Sequence, residues 1–361
     1  MQITTKEIIS LFIHLGGVPP KHLILNIERF LDLFPQRRVV LLLSEGTEVS
    51  NGTKFETAFV NESSFPSLEE MGKVHDFSFR NGFWKNTFLR LFAIEHFQKL
   101  NPNSGVLHIE SDVILMPSFP WDFFKDSTKL NWLRVHDGAD VAAILYSPNE
   151  FLISKLTRDL LSTAFAEPNT TDMSALFKFA VSHPGDHAYL PSLTSLSSQS
   201  ENLEEFHAKV DSLLKGYFDP LAIGIWLFGQ DPKNSYGVTR RYVHQTHHDL
   251  DPRSLELRMD QNGDVLDKQG LRIFSFHIHS KNVSLFGKNW KNEMASQLME
   301  ANLLEKEKSF NLVKFKEAMA DRSLISHILI NLNRLRFLRS LKKYRHVNSL
   351  TLMLKQFLKI R

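Results

Sequence analysis

Two carboxylates interrupt an apolar run, "VLHIESDVILM" (106–116): Glu110 and Asp112, two residues apart. Alternate side chains of a strand share a face, so strand geometry would turn His108, Glu110 and Asp112 one way and Ile109, Ser111 and Val113 the other. A buried carboxylate is costly unless it is paired, hydrogen-bonded or holding a metal. Two acids at this spacing, near the end of a buried strand, offer oxygen ligands to Mg²⁺ or Mn²⁺. The alternative is a strand end whose acids are solvated or salt-bridged.

A second stretch, "IFSFHIHSK" (273–281), carries His277, His279 and Lys281 at the same two-residue spacing. Imidazole suits Mn²⁺ and other transition metals, and a lysine one step further along the face can meet a phosphate. The alternative is a polar strand edge, in a chain that has 16 histidines. Taken together, the two stretches describe a divalent cation between acidic and imidazole ligands, with an ammonium beside it. Such a cation would neutralise charge developing on a diphosphate leaving group.

The elements that must position these residues follow from periodicity. "EIISLFIHLGG", "RRVVLLLSEG" and "VLHIESDVILM" are apolar, β-branched runs bounded by Gly, Pro or Asn and are predicted strands. Leu23, Ile27, Phe30 and Leu33 recur at helical spacing between the first two. Phe88, Leu91, Phe92 and Glu95 do the same before the third. Strand–helix alternation predicts an α/β fold with a parallel sheet, whose ligands gather at the carboxyl ends of the strands. Further on, "DVAAILYSP" reads as a strand and "NEFLISKLTRDLLSTAF" as a helix. "TTDMSALFKFAVSH" reads as a second helix capped by Thr170 or Thr171. The Ser-rich "PSLTSLSSQSENLEE" reads as a loop, and no internal repeat is found.

Composition sets outer limits. The 361 residues are 42% hydrophobic and 23% charged, as in an ordinary globular protein. The absence of cysteine excludes a disulfide scaffold, a cysteine nucleophile and thiolate-ligated zinc. With no basic, apolar leader at the N-terminus and no apolar window long enough to span a bilayer, the expected location is cytoplasmic. The net charge of +3 is unevenly spread: residues 322–361 hold ten Lys/Arg and no acid, so the remainder carries −7. Phe, Leu and Ile are interleaved with those bases, a pattern that suits basic amphipathic helices. They would either meet an anionic membrane surface at its inner face or dock on the preceding domain. No nucleic-acid recognition motif accompanies the basic tail, and nucleic acid is not an expected partner.

In combination, "FWKNTFLRLFAIEHFQKLNPNSGVLHIESDVIL", "NTTDMSAL", "FDPLAIGIWLFGQDPKN" and "FHIHSKNVSLF" resemble, in order over about residues 8–286, the GT-A-fold glycosyltransferases that use nucleotide sugars, of the bacterial cell-surface polysaccharide type. The Asp-x-Asp motif of that family stands here as Glu110-Ser111-Asp112, a departure in its first acid. The resemblance implies a Rossmann-like, mixed and mainly parallel sheet. It divides the catalytic domain (1–286) into a nucleotide-sugar half (about 8–116) and an acceptor half (117–286), followed by a helical basic extension (287–361).

It further implies Mn²⁺ or Mg²⁺, a UDP- or GDP-sugar donor and a glycan or lipid-linked acceptor. Asp112 would bind the metal, and Glu110 would bind it or hold the ribose. His279 is the preferred third ligand and His277 the alternative. Lys281 would contact the diphosphate; Arg90 would do the same or form a structural ion pair. Asp172 would face the acceptor as base or orienting group, or merely sit in the first turn of its helix, where the dipole favours it. Asp219 and Asp231 precede prolines and suit turns, and Trp84 suits a core better than a nucleotide pocket. A nucleotidyltransferase or phosphodiesterase could use the same acids, yet no Walker-type or comparable glycine loop is present. A non-catalytic carbohydrate-binding protein on the same fold is the third reading.

Overall fold

The computed structural model describes residues 6–48, 54–66, 83–136, 138–167, 169–193, 204–205, 208, 210, 214–229 and 252–302. The chain divides into two compact units, Met1–Asn302 and Leu303–Arg361. Every element below belongs to the first. The basic tail, most of the Ser-rich stretch and Asp231 lie outside the described residues.

A seven-stranded sheet forms the centre of this unit. Its strands are β1 (Ile8–His14), β2 (Val39–Ser44), β3 (Glu56–Val60), β4 (Gly105–Ile109), β6 (Leu130–His136), β7 (Ala139–Ser147) and β8 (His187–Tyr189), and β5 (Val113–Leu115) stands apart from it. The spatial order is β3-β2-β1-β4-β7-β6-β8. Only β7 runs against the others. The result is a mixed, mainly parallel sheet, and β1, β2, β4 and β6 all end at the same edge.

Helices cover both faces, which explains why the central strands are apolar throughout rather than alternating. Ile9, Leu11 and Ile13 of β1 point into one core with Phe88, Leu91 and Phe92 of α2 (Phe83–Leu100) and Leu156 and Leu160 of α4 (Glu150–Ala166). Ile8 and Phe12 point into the opposite core with Leu23, Ile27 and Phe30 of α1 (Lys21–Leu33) and Phe124 of α3 (Trp121–Asp126). α5 (Asp172–Ser182) begins with Thr171 as its N-cap, in a reciprocal capping box with Ser174.

A third core gathers around a smaller four-stranded sheet, ordered β10-β11-β12-β9, and a two-stranded pair of β5 with β13 (Ser275–His277). The small sheet comprises β9 (Gly216–Tyr217), β10 (Arg258–Met259), β11 (Val265–Leu266) and β12 (Arg272–Ile273). The short helix α6 (Ala222–Phe228) and a further helix, α7 (290–302), complete it. Trp290, Met294, Leu298 and Ala301 of α7 are buried there.

Two strand expectations are corrected. The run 106–116 is not one strand: β4 stops at Ile109, and residues 110–112 turn the chain into β5, with the Val113 amide donating to the Glu110 carbonyl at 3.1 Å. Two acids and a serine cannot extend the buried sheet without losing solvation, and the chain leaves it there. His108 remains inside the sheet, its Nδ1 3.1 Å from the Leu11 carbonyl oxygen, and does not join the acids. Likewise β13 ends at His277; His279 and Ser280 lie in a turn, and Lys281 adopts φ 54°. His277, His279 and Lys281 therefore do not share one strand face.

Candidate metal centre

The turn 110–112 lies at the carboxyl edge of the central sheet, where β4 ends. Glu110 is fixed by its amide, which donates to the Ala143 carbonyl of β7 at 2.9 Å. Asp112 is fixed by its own carbonyl, which accepts the Ile278 amide at 2.7 Å. That bond continues the antiparallel ladder in which Val113 faces His277. The pairing brings the end of β13 over the acidic turn, 165 residues along the chain from Asp112.

His277 points its Nε2 between the acids, 3.5 Å from Glu110 Oε2 and 3.5 Å from Asp112 Oδ1. Its other nitrogen, Nδ1, is 3.0 Å from the Pro220 carbonyl oxygen. A carbonyl only accepts, so Nδ1 carries a proton and Nε2 is the atom presented to the cluster. One ligand atom each from Glu110, Asp112 and His277 lie within 4.8 Å of one another. Two carboxylates and an imidazole whose second nitrogen is tied to a carbonyl form a donor set suited to Mn²⁺, and that tie is the usual second contact of a metal-ligating histidine. His279 stands alongside, its ring centre 5.5 Å from that of His277.

The approach of β13 depends on Asp219, which sits in the turn between β9 and α6. Its carboxylate accepts from the amides of Leu221 (3.0 Å), Ile223 (3.0 Å), Gly224 (2.7 Å) and His277 (3.3 Å). The pre-proline acid that suited a turn does shape one, and it also ties that turn to the histidine. Gly224 is required: a Cβ there would run into the His277 carbonyl.

Arg90 reaches from α2 to the other side of the acids. One terminal nitrogen lies 2.5 Å from Glu110 Oε1 and the other 3.5 Å from Asp172 Oδ2. Arg90 thus joins two acids 62 residues apart, and it leaves Glu110 Oε2 facing His277. Asp172 opens α5 and is 3% exposed. Lys281 Nζ lies 3.9 Å from Asp112 Oδ2 and is partly open to solvent. On the helix α1, His22 Nε2 lies 3.3 Å from Ser111 Oγ, while Asn26 and Arg29 bond to backbone carbonyls of the turn and of β5. These three went unread in the sequence because polar residues on an amphipathic helix suggest its solvent face. Their spacing, i, i+4 and i+7, is the signal that could have found them.

Electrostatics make the cluster self-consistent. Burial alone would depress the His277 imidazolium, but the charges of Asp112 and Glu110 and the hydrogen bond to Asp112 outweigh it, and the pKa is pushed up to about 9. Burial would raise Asp112, but His277, Lys281 and His279 hold it well below the usual carboxylate range. Asp172 is raised by burial, with Arg90 pulling it back and Glu110 adding to the rise.

No protein-family model and no curated protein matches the chain. Among solved structures, it is similar to the galactosyltransferase LgtC in complex with donor and acceptor sugar analogues. The identity is 13% and the TM-score 0.36, over 55% of this chain and 81% of that one. It is also similar to a glycosyltransferase involved in glycosylation of the major capsid of PBCV-1, at 13% identity and a TM-score of 0.30, over 51% of this chain and 81% of that one. Likeness at this level leaves the function to be read from the site.

The raised His277 pKa has a definite sign. Its contribution to stability is fully present below the unfolded value, near pH 6.5, and is lost as pH rises through about 9. In urea titrations without added metal, the stability gap between wild type and His277→Gln should narrow from pH 7 to pH 10. A gap that is constant over that range would contradict the ion-paired imidazolium.

Proposed function

We propose that this protein is a metal-dependent glycosyltransferase, moving a sugar from a UDP- or GDP-sugar to a hydroxyl acceptor in cell-surface polysaccharide or glycoconjugate synthesis. The observation that carries the proposal is the meeting of Glu110, Asp112 and the Nε2 of His277 at the carboxyl edge of a mainly parallel sheet. A divalent cation held there would offset the negative charge of the departing diphosphate.

Each residue then has a role set by its surroundings. Asp112, Glu110 through Oε2, and His277 through Nε2 are the ligands; His279, beside His277, stands in reserve. Lys281, partly exposed and next to Asp112, is placed to meet the diphosphate. Arg90 fixes the orientation of Glu110 and Asp172 through its two terminal nitrogens. Asp172 is the candidate to orient the acceptor hydroxyl or take its proton as the bond between the sugar and the diphosphate breaks. A carboxyl raised by burial suits that task better than an ordinary one.

The basic, apolar segment 322–361 supports a further part of the reading. We propose that it brings the enzyme to an anionic membrane surface, at which each Lys or Arg contributes about 1 kcal/mol. No helix among the described residues is long and apolar enough to cross a membrane.

Mn²⁺ together with the correct UDP- or GDP-sugar should raise the melting temperature. Stabilisation reaches about 2.7 kcal/mol at a hundredfold excess over the dissociation constant. Asp112→Ala should abolish that shift. A panel of nucleotide sugars giving no metal-dependent shift with the wild-type chain would overturn the assignment. For the tail, deleting residues 322–361 should abolish sedimentation with anionic vesicles; unchanged sedimentation would end the membrane proposal.

A further inference from the structure

β5 is a three-residue strand that carries Asp112 at its entrance, and among the described residues one of its edges is paired with another strand, β13. The ladder with β13 uses the Asp112 carbonyl, Ile114 and the Met116 amide, through Ile278→Asp112 (2.7 Å) and Met116→Phe274 (2.9 Å). By alternation, the carbonyls of Ser111, Val113 and Leu115 point to the opposite edge. Unpaired and buried, each would cost free energy comparable to a lost hydrogen bond. Among the described residues no strand pairs with that edge; α1 supplies side chains instead.

Asn26 Nδ2 donates to the Ser111 carbonyl at 3.2 Å and to the Val113 carbonyl at 2.7 Å, and Arg29 donates to the Leu115 carbonyl at 2.9 Å. Two residues, three apart on one helix, thus replace a neighbouring strand over five residues of backbone. Asp112 is the residue between the two carbonyls that Asn26 holds. Arg29 is 4% exposed and lies 4.1 Å from the Trp290 ring centre, and its Nε and Nη2 are buried with no hydrogen-bond partner among the described residues. A lone buried cation is an expensive way to fill space, because an apolar side chain of similar volume serves packing as well or better. An arginine here makes sense if the hydrogen bond to β5 is what the position requires.

We infer that Asn26 and Arg29 are positioning residues for the metal centre: they clamp the free edge of β5 and so fix the backbone from which Asp112 projects. The Arg29–Trp290 stack anchors that clamp to α7. This inference rests on the metal reading above, while the clamp itself can be tested without metal.

The test uses the full-length chain and four variants: Asn26→Leu, the milder Asn26→Ser, Arg29→Met and Arg29→Lys. Three quantities are measured: the urea midpoint, amide hydrogen exchange over 111–116 without metal, and Mn²⁺ affinity from the free-ion electron paramagnetic resonance signal. Arg29→Met removes a buried charge but leaves the Leu115 carbonyl unpaired, so its midpoint should stay close to that of wild type. It should nevertheless exchange faster at 111–116 and bind Mn²⁺ about 10–100-fold more weakly, the range for loss of a group that orients a ligand. Arg29→Lys, which keeps a donor, should recover part of the affinity. Asn26→Leu and Asn26→Ser should both show faster exchange and weaker binding. Exchange and Mn²⁺ affinity equal to wild type in both Arg29→Met and Asn26→Ser would overturn the inference. If the wild-type chain binds no Mn²⁺, the metal reading falls by itself, and the exchange measurement still decides whether the clamp exists.

Discussion

The site depends on one buried electrostatic arrangement: the His277 imidazole held between Glu110 and Asp112. Two carboxylates this close, with little water around them, repel each other and lose solvation. A positive charge between them offsets both costs, whether it is the proton on Nε2 or a metal ion in its place. Much of the surrounding structure serves that pairing. β13 runs along β5 to deliver His277, Asp219 gathers four amides to hold β13 in place, and Pro220 fixes which nitrogen faces the acids.

The central sheet supplies the second constraint. β4 ends where its sequence turns from Ile109 to Glu110, and that end lies beside the ends of β1 and β2. Arg90 on α2 then links Glu110 to Asp172 at the start of α5, so the metal side and the acceptor side of the proposed site share a single guanidinium. A change at Arg90 would therefore free two acids at once.

The acidic pair was legible in sequence because two carboxylates in an apolar run have no cheap explanation. The helix after Thr171 was legible too, since a threonine ahead of an apolar, helically spaced run marks a cap, although Thr170 and Thr171 both fitted until the structure placed Thr171 there. His277 and His279 could not be told apart from sequence. The distinction rests on where β13 stops, and that is fixed by its register against β5 rather than by the residues of "FHIHSK". The bridging role of Arg90 was equally out of reach, because its second partner is 82 residues away. Nor could β7 be read as antiparallel: an apolar strand buried on both faces has the same pattern in either direction. The clamp of Asn26 and Arg29 was missed because both sit among the polar positions of an otherwise amphipathic helix.

A single titration addresses the central claim most directly. If His277 is protonated between two acids, a cation that takes the Nε2 lone pair must expel that proton. Mn²⁺ binding followed by calorimetry at pH 7.5, in two buffers of different ionisation enthalpy, should release about one proton per ion bound in the wild type. His277→Ala should release none. Tight binding with no proton released, or no binding at all, would contradict a metal centre built on Glu110, Asp112 and His277.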